Sequence, residues 1–418
     1  MIKRQIYNQL EKHLSAKEIS FIVGPRQAGK TTLMNTLKQN LDRNGEKTLY
    51  LNMDVERDRK HFASQDALIT KIKTEMGTNK GFVFLDEVQR KENVGLFLKG
   101  LYDLNLPYKF IVSGSGSMEL KAKIVESMVG RKRMFDLSTL TLEEFINFKT
   151  SYRYEDRLQQ FFSVEPTQIQ KLLEEYLNFG GYPKVVLLDT IDEKIKVMEE
   201  IFEGYIEKDI GYLLRVDNIT TFSNLVKITA SQIGSLVNIT ELSSTLKASL
   251  PTINKYLWYL ENTYILQRVT PFFRNVRKEI TKSPIFYFYD LGFRNFARGT
   301  FGQDQPDSPE VGFLFENFVH NLINEEIEAP TKLHFWRTKD KAEVDLVAEK
   351  GLMPIPIEVK YKNIEKPEIP RSFRSFLLKY KPEKAYIIHL GTESQIKIDK
   401  TTIHFLPFYK LIGKETNI

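Results

Sequence analysis

The sequence predicts a protein of the α/β class, in which a parallel sheet carries helices on both faces and smaller modules follow. Three observations predict this class. The first third of the chain alternates short apolar runs with helical patterns, which is typical of a parallel sheet. The chain has 418 residues, enough for about three domains. Its 42% hydrophobic and 27% charged residues are ordinary globular values, which excludes collagen-like, disordered and membrane-embedded classes.

Five short apolar segments are the expected strands of this sheet: 19–23, 48–52, 82–86, 110–113 and 134–137. Helical patterns separate them, and one such pattern begins near Lys30. We therefore predict that a sheet domain occupies residues 1–140.

The remaining chain divides into three predicted modules. Helical periods without strand patterns predict a helical lid subdomain over 141–215. Two short helices with a tight turn, followed by a hairpin, predict a winged helix over 216–300. Its predicted wing is basic and carries Arg274, Arg277, Lys278 and Lys282. After a linker rich in turn-forming residues, a helix and several strands predict an α/β domain over 301–418.

Composition narrows the classes of partner and compartment. The net charge of +6 is mildly basic and is compatible with a nucleic-acid partner without indicating one. No cysteine is present, which excludes disulfide scaffolds and thiolate metal sites and fits a reducing compartment. No apolar run approaches the length of a membrane span, so we expect a cytoplasmic protein without membrane association.

A phosphate-binding motif follows the first predicted strand. The segment matches G-x-x-x-x-G-K-[ST] between a strand and a helix, the context that a Walker A motif requires, and consists of Gly24, Pro25, Arg26, Gln27, Ala28, Gly29, Lys30 and Thr31, with Thr32 after it. Its backbone N–H groups and the helix N-terminus favour phosphate. Lys30 is expected to reach the β- and γ-phosphates of a nucleotide, and Thr31 to bind Mg²⁺.

Acidic and polar residues end two further strands. Asp86 and Glu87 form a Walker B pattern, in which Asp86 is expected to hold Mg²⁺ and Glu87 to polarise an attacking water. Ser113 is either a contact to the γ-phosphate or water, or simply a turn residue. Arg131 is either a solvated basic residue or an arginine that stabilises transferred charge, in its own or a neighbouring subunit. These motifs predict ATP and Mg²⁺ as ligands.

The segments 24–32, 85–89, 113–115 and 130–131, together with 178–183 and 287–292, resemble a prokaryotic family of AAA-type P-loop ATPases. Its members carry a C-terminal domain of unknown function that combines a winged helix with a restriction-endonuclease-like fold. The resemblance covers nearly the whole chain. It implies ATP hydrolysis and a central sheet in which the Walker A and Walker B strands are neighbours.

The C-terminal part contains an acidic pattern. Glu316 lies in an amphipathic helix, Asp345 in a strand, and Glu358 with Lys360 at the end of the next strand. Strand alternation places Glu358 and Lys360 on one face. This order is the arrangement of PD-(D/E)xK nucleases, in which two carboxylates bind a second Mg²⁺ or Mn²⁺ and the lysine orients or deprotonates the nucleophile. Glu316 from the preceding helix is expected either to complete the metal shell or to position the core. The alternative is a nuclease-like fold that serves binding or assembly only.

Three functions fit these patterns. The first is an ATPase that acts on DNA, in which the C-terminal domain binds or cleaves DNA. The second is a signalling or defence switch, in which ATP controls protein assembly, including that of a homo-oligomer, and the winged helix packs against the core rather than DNA. The predicted recognition helix is rather apolar, which favours this function. The third is a nuclease whose P-loop binds nucleotide only for stability.

Overall fold

Five strands form the amino-terminal sheet of the computed structural model, which describes residues 2–115, 128–206, 210, 218–273, 279, 282–303, 308–351 and 353–413. These strands are β1 (Ile19–Gly24), β2 (Thr48–Asn52), β3 (Gly81–Asp86), β4 (Tyr108–Ser115) and β5 (Lys132–Asp136). All their pairings are parallel. Every residue of β1 and β3 is buried, as expected for strands that are covered on both faces.

The helices of this part are α1 (Ile6–Lys12), α2 (Lys30–Arg43), α3 (Glu56–Arg59), α4 (Gln65–Met76) and α5 (Val94–Asp103). Helices α1 and α2 pack on one face of the sheet, where Leu10 and Leu33 meet Ile22. Helices α4 and α5 pack on the other face, where Leu68 and Leu98 meet Val83. The predicted parallel sheet with helices on both faces is therefore confirmed.

The order of the strands corrects one expectation. The order is β2-β3-β4-β1-β5, so β4 lies between the Walker A strand β1 and the Walker B strand β3. The expectation that these two strands are neighbours is wrong. Strand order depends on which crossover each connecting helix makes over the sheet, and no local pattern in the sequence specifies it.

In its described residues, the segment predicted as a helical lid has the α-helices α6 (Leu142–Lys149), α7 (Leu158–Val164), α8 (Pro166–Phe179), α9 (Pro183–Val186) and α10 (Ile191–Gly204). Among the described residues, they do not share one core. Phe145 and Leu173 pack in a cluster with residues of the C-terminal part, such as Phe318. Met198 packs instead with residues such as Leu257 of the predicted winged helix. The boundaries 141 and 215 remain a prediction, and the cores divide this segment differently.

The next segment has helices α11 (Ile219–Ser231), α12 (Ile239–Leu246) and α13 (Leu250–Asn262), strands β6 (Leu266–Val269) and β7 (Ile285–Phe288), and helix α14 (Leu291–Arg298). Strands β6 and β7 pair antiparallel, in the predicted order of helices and then a hairpin. Of the basic residues predicted for the wing, Lys282 is exposed. Arg274, Arg277 and Lys278 lie outside the described residues.

The C-terminal part contains a second, mixed sheet with strands β8 (Lys332–Arg337), β9 (Glu343–Lys350), β10 (Met353–Val359), β11 (Lys384–His389), β12 (Ser394–Ile398) and β13 (Thr401–Pro407). Their order is β12-β13-β11-β10-β9-β8. Helix α15 (Pro309–Glu326) packs in one apolar cluster with this sheet, and helix α16 (Arg371–Tyr380) packs in another. The predicted α/β arrangement of a helix followed by strands is present.

Close contacts join the end of α8 and the loop after it to the start of α14. The buried Asp290 accepts hydrogen bonds from Gly181 N (2.8 Å) and Phe293 N (2.9 Å). A Cβ atom on Gly292 would lie 2.0 Å from the carbonyl oxygen of Phe179, so these two backbone segments can meet only with glycine at that position.

We expect Gly292→Ala to lower the free energy of unfolding by about 3 kcal/mol, because the added carbon overlaps backbone atoms that cannot rotate away. Gly204→Ala is the matched control, since a Cβ atom there meets nothing within 4 Å. Denaturant unfolding of both variants measures the difference. Equal stability of the two variants would contradict this packing.

Candidate nucleotide site

The Walker A segment forms the turn between β1 and α2. Gln27 (φ 61°) and Gly29 (φ 97°) have left-handed backbone conformations, and Gly29 caps the start of α2. Left-handed residues within a loop turn successive backbone N–H groups toward one concave side, which favours the binding of an anion. The Lys30 ammonium group is buried and donates to the carbonyl oxygens of Gly24 (2.9 Å) and Pro25 (2.7 Å). Lys30 therefore lies against the first two residues of the loop.

The carboxylate of Asp86, which is fully buried, is the centre of the site. Its Oδ2 accepts from the Thr31 hydroxyl (2.9 Å) and the Tyr50 hydroxyl (2.5 Å). Its Oδ1 accepts from the Ser113 hydroxyl and from Glu87 N. The strand order explains this set, because β2 supplies Tyr50 on one side of β3 and β4 supplies Ser113 on the other.

Two of these contacts bear on the predicted roles. Thr31 and Asp86 lie together, as expected of the pair of oxygen ligands that Mg²⁺ uses in P-loop proteins, so the donor set fits this ion. Ser113 is fully buried and is bonded to Asp86, and it does not line the cavity described below. The structure thus brings Ser113 to the carboxylate rather than into open contact with a ligand.

Sequence reasoning missed Tyr50 and Asn52 of β2. Tyr50 pairs in register with Phe84, and Asn52 pairs with Asp86 itself. Side chains alternate along a strand, so residues 50 and 52 lie on the same face of β2. This spacing could have pointed to both residues, but only once β2 is known to lie beside β3.

Glu87 follows Asp86 in a left-handed conformation (φ 57°) and lines the same cavity as Lys30. Burial raises the pKa of its carboxyl group, and the charge of Asp86 adds to this effect, while Gln89 and Lys30 oppose it. The side-chain amide of Gln89 donates to Glu87 Oε2 and orients the carboxylate. A carboxylate with a raised pKa at this position could accept a proton from water.

A cavity of about 980 Å³ extends from the Walker A segment. It is lined by loop residues Arg26, Gln27 and Gly29, by Lys30, Thr31 and Thr32 of α2, by Glu87, and by residues of the amino-terminal segment and α6. Gly24, Pro25 and Ala28 do not line it. This volume is at the upper end of the range for small-molecule sites and can hold a nucleotide.

Arg131 lies at the opposite edge of the sheet. Its carbonyl oxygen accepts from Ile19 N (2.9 Å) at the start of β1, whereas the Walker A segment follows the end of that strand. Its guanidinium pairs with Asp103 at 2.8 Å. The structure does not bring Arg131 to the nucleotide site of its own chain, because β5 runs parallel to β1 and Arg131 precedes it.

The C-terminal acids lie close together but are engaged by protein groups. Lys360 Nζ is 2.7 Å from Glu358 Oε1, and Asp345 Oδ2 accepts from Val359 N at 2.7 Å. The Tyr287 hydroxyl of β7 donates to Glu316 Oε1. Glu358 Oε2 is buried and has no hydrogen-bond partner.

Removal from water governs the pKa values of this group. Burial raises the pKa of Glu316, and the charge of Asp345 raises it further. Burial and Asp345 together raise the pKa of Glu358 to about 8. Burial lowers the pKa of Lys360, but the surrounding carboxylates outweigh this effect and the net shift is upward.

The predicted three-ligand metal set is not assembled. Within the part of the chain that the structure describes, no three acidic or histidine side chains are arranged to hold a metal ion. The Tyr287 hydroxyl is hydrogen-bonded to Glu316, and Glu358 Oε2 is buried without a hydrogen-bond partner.

We expect the stability of the protein to fall as the pH rises from about 4.5 to 8, because the Glu358 carboxyl ionises at pH 4.5 when unfolded but only near 8 when folded. Glu358→Gln removes this cost. In EDTA at pH 9, its free energy of unfolding should exceed that of the native chain by at least about 1.4 kcal/mol, the value of one pKa unit. The gain should vanish near pH 4. Glu383→Gln, at an exposed position before β11, is the control, and a constant difference across pH would contradict the burial argument.

Three families of known domains match consecutive parts of the chain. An AAA domain matches residues 16–146, and two domains of unknown function (DUF8612 and DUF4143) match residues 170–304 and 311–411. The AAA match includes β1 to β5 and both Walker motifs. Together with the geometry of Lys30, Thr31 and Asp86, these matches support an AAA-type P-loop ATPase.

Similar proteins share most of the chain's length. An uncharacterized protein of Mycobacterium tuberculosis is 25% identical over 403 residues, which cover 96% of this chain and 82% of the relative. An uncharacterized protein of Methanocaldococcus jannaschii is 25% identical over 374 residues, covering 87% of this chain and 80% of the relative. An uncharacterized protein of Haemophilus influenzae is 24% identical over 372 residues, covering 87% of each chain.

Solved structures match weakly. The replication initiator DnaA bound to AMPPCP and single-stranded DNA has a TM-score of 0.30 at 16% identity, covering 62% of this chain and 90% of that one. Pif1 helicase from Candida albicans has a TM-score of 0.25 at 14% identity, covering 36% and 44%. At these scores the two structures add no argument of their own.

No helix among the described residues is long and apolar enough to cross a membrane.

Proposed function

We propose that this protein is a Mg²⁺-dependent ATPase of the AAA type. The observation that carries the proposal is the arrangement around Asp86, where the Walker A threonine and the Walker B aspartate meet and Glu87 faces the cavity beside Lys30. Lys30 neutralises charge on the β- and γ-phosphates, and the backbone N–H groups of residues 26–31 cradle them. Thr31 and Asp86 hold the Mg²⁺, which neutralises developing charge on the phosphates when bound. Glu87 takes a proton from the attacking water.

We further propose that hydrolysis is coupled to DNA through a winged helix over 216–300 and a nuclease-like domain over 301–418. Helices α11 to α13 followed by the β6–β7 hairpin support the first assignment, and the exposed Trp258 gives α13 a surface for contact. Helix α15, strands β8 to β10 and the Asp345–Glu358–Lys360 group support the second. Arg131 lies far from the site of its own chain, so a role for it in hydrolysis requires a neighbouring subunit.

Steady-state ATP hydrolysis with and without DNA tests this proposal. We expect Mg²⁺-dependent hydrolysis that DNA changes severalfold at low salt, and binding that weakens as salt increases. The Asp345→Ala variant separates the two sites, because it should retain hydrolysis and lose any Mg²⁺- or Mn²⁺-dependent cleavage. An unchanged rate combined with no DNA binding at low salt would overturn the coupling to DNA.

Two observations favour the second candidate, a switch in which the nuclease-like domain only binds or assembles. The Tyr287 hydroxyl is hydrogen-bonded to Glu316, so the three predicted carboxylates are not all free to bind a metal ion. Helix α13 also buries Ile253, Leu257 and Leu260 in a shared core. For a switch, mass and shape in solution change with ATP while DNA stays intact, and light scattering with and without ATP measures this.

A further inference from the structure

Arg4, near the start of the chain, contacts the phosphate loop. Its side chain is only 8% exposed. Its Nη1 donates to the carbonyl oxygen of Ala28 at 2.7 Å, and its Nη2 donates to the carbonyl oxygens of Ser138 (2.7 Å) and Thr139 (3.3 Å). The guanidinium therefore joins the Walker A segment to the chain that leaves β5.

The position of Ala28 makes this contact consequential for phosphate binding. Ala28 is fully buried and immediately precedes Gly29 and Lys30, the residues that turn the loop into α2. A Cβ atom on Gly29 would lie 3.7 Å from Arg4 Nη1, so the guanidinium lies beside the turn, and Arg4 also lines the cavity. A loop that binds phosphate through backbone N–H groups needs its peptide planes held in one orientation.

Glu144 orients Arg4. Its Oε2 accepts from Arg4 Nε (2.9 Å), and its Oε1 accepts from Gln5 N (2.7 Å). The same carboxylate accepts from Thr141 N, while Glu144 N donates to the Thr141 hydroxyl, which forms a capping box at the start of α6. Because the cap fixes the carboxylate and the planar guanidinium binds it, Arg4 has one available orientation.

We propose that Arg4 is a positioning residue of the nucleotide site, which holds the Ala28 peptide so that the loop is shaped for the β-phosphate, and that Glu144 holds Arg4 in place. This inference rests on the proposed ATP site and adds to it a residue that precedes the first residue of the Walker A segment by 20 positions. Arg4 acts through the backbone of Ala28 and does not itself need to touch the nucleotide.

Nucleotide affinity of four full-length variants tests the proposal, with fluorescent ATP and ADP analogues as probes and circular dichroism to verify folding. Arg4→Ala should raise the Kd for ATP and for ADP alike by about tenfold, since both carry the β-phosphate. Arg4→Lys should lie between this variant and the native chain, because an ammonium group can reach Ala28 but cannot also bind Glu144 and Ser138 in one plane. Lys12→Ala, which removes an exposed charge from α1, is the control and should stay within about twofold.

The double variant Arg4→Ala/Glu144→Gln separates positioning from stability. It removes the buried carboxylate that Arg4→Ala leaves without its cation, so its melting temperature should recover toward that of the native chain. Its affinity for ATP and ADP should stay low, because nothing holds Ala28.

Three results would overturn the proposal: a Kd for ATP within about twofold of the native value in folded Arg4→Ala, a loss confined to ATP, which indicates direct contact with the γ-phosphate, or restored affinity in the double variant. Failure of the ATP site itself looks different. In that case the native chain binds neither probe, and Lys30→Ala behaves like the native chain.

Discussion

Replacing Lys30 with alanine is expected to weaken ATP binding by about 100-fold or more and to abolish hydrolysis. The buried ammonium group lies against the loop, and each hydrogen bond that it would make to a phosphate is worth about 1.5–3 kcal/mol. Isothermal titration with ATP and a steady-state phosphate-release assay measure the two effects.

Lys38→Ala is the matched control, because Lys38 lies on the same helix and pairs with Asp42 at 2.7 Å outside the cavity. It should leave affinity and turnover unchanged. Lys30→Met, which keeps most of the buried volume, guards against a loss that comes only from misfolding. If Lys30→Met folds and still binds ATP with native affinity, the phosphate role of Lys30 is wrong.

Replacing Glu87 with glutamine is expected to lower the turnover of ATP by about 100-fold or more while leaving its affinity nearly unchanged, because the amide keeps the shape of the carboxylate but cannot accept a proton. Burial raises the pKa of Glu87, so native turnover should increase with pH as this group ionises, and the variant should lack that increase. A pH–rate profile of both proteins measures it.

Glu92→Gln, at an exposed position five residues further on, is the control. Full activity of Glu87→Gln would support the third hypothesis, in which the P-loop binds nucleotide only for stability. A loss of affinity equal to the loss of turnover would instead point to a role of Glu87 in the shape of the site.

The local elements around the nucleotide site could be predicted because their signals lie within a few residues. The buried strand β1, the glycines of the loop and the start of α2 at Lys30 follow one another along the chain. The apolar run of β3 likewise ends in Asp86. For the same reason, the prediction of strands near Asp345 and Glu358 is confirmed.

The partners of these residues could not be predicted, because they come from distant parts of the chain. Insertion of β4 between β1 and β3 gives Asp86 its bond from Ser113, and β2 gives it the bond from Tyr50. The same limit applies to the C-terminal acids, where Tyr287 of β7 reaches Glu316.

Patterns along the chain therefore predict the P-loop, the Walker acids and the α/β class, since periodicity, glycine turns and strand ends are properties of neighbouring residues. Only the tertiary structure shows the strand order, the division of helices α6 to α10 between two cores, and the contact of Arg4 with Ala28. The physical reason is that these features depend on which surfaces pack together after the chain has crossed the sheet. A residue 24 positions away then becomes a hydrogen-bond partner without any local sign of it.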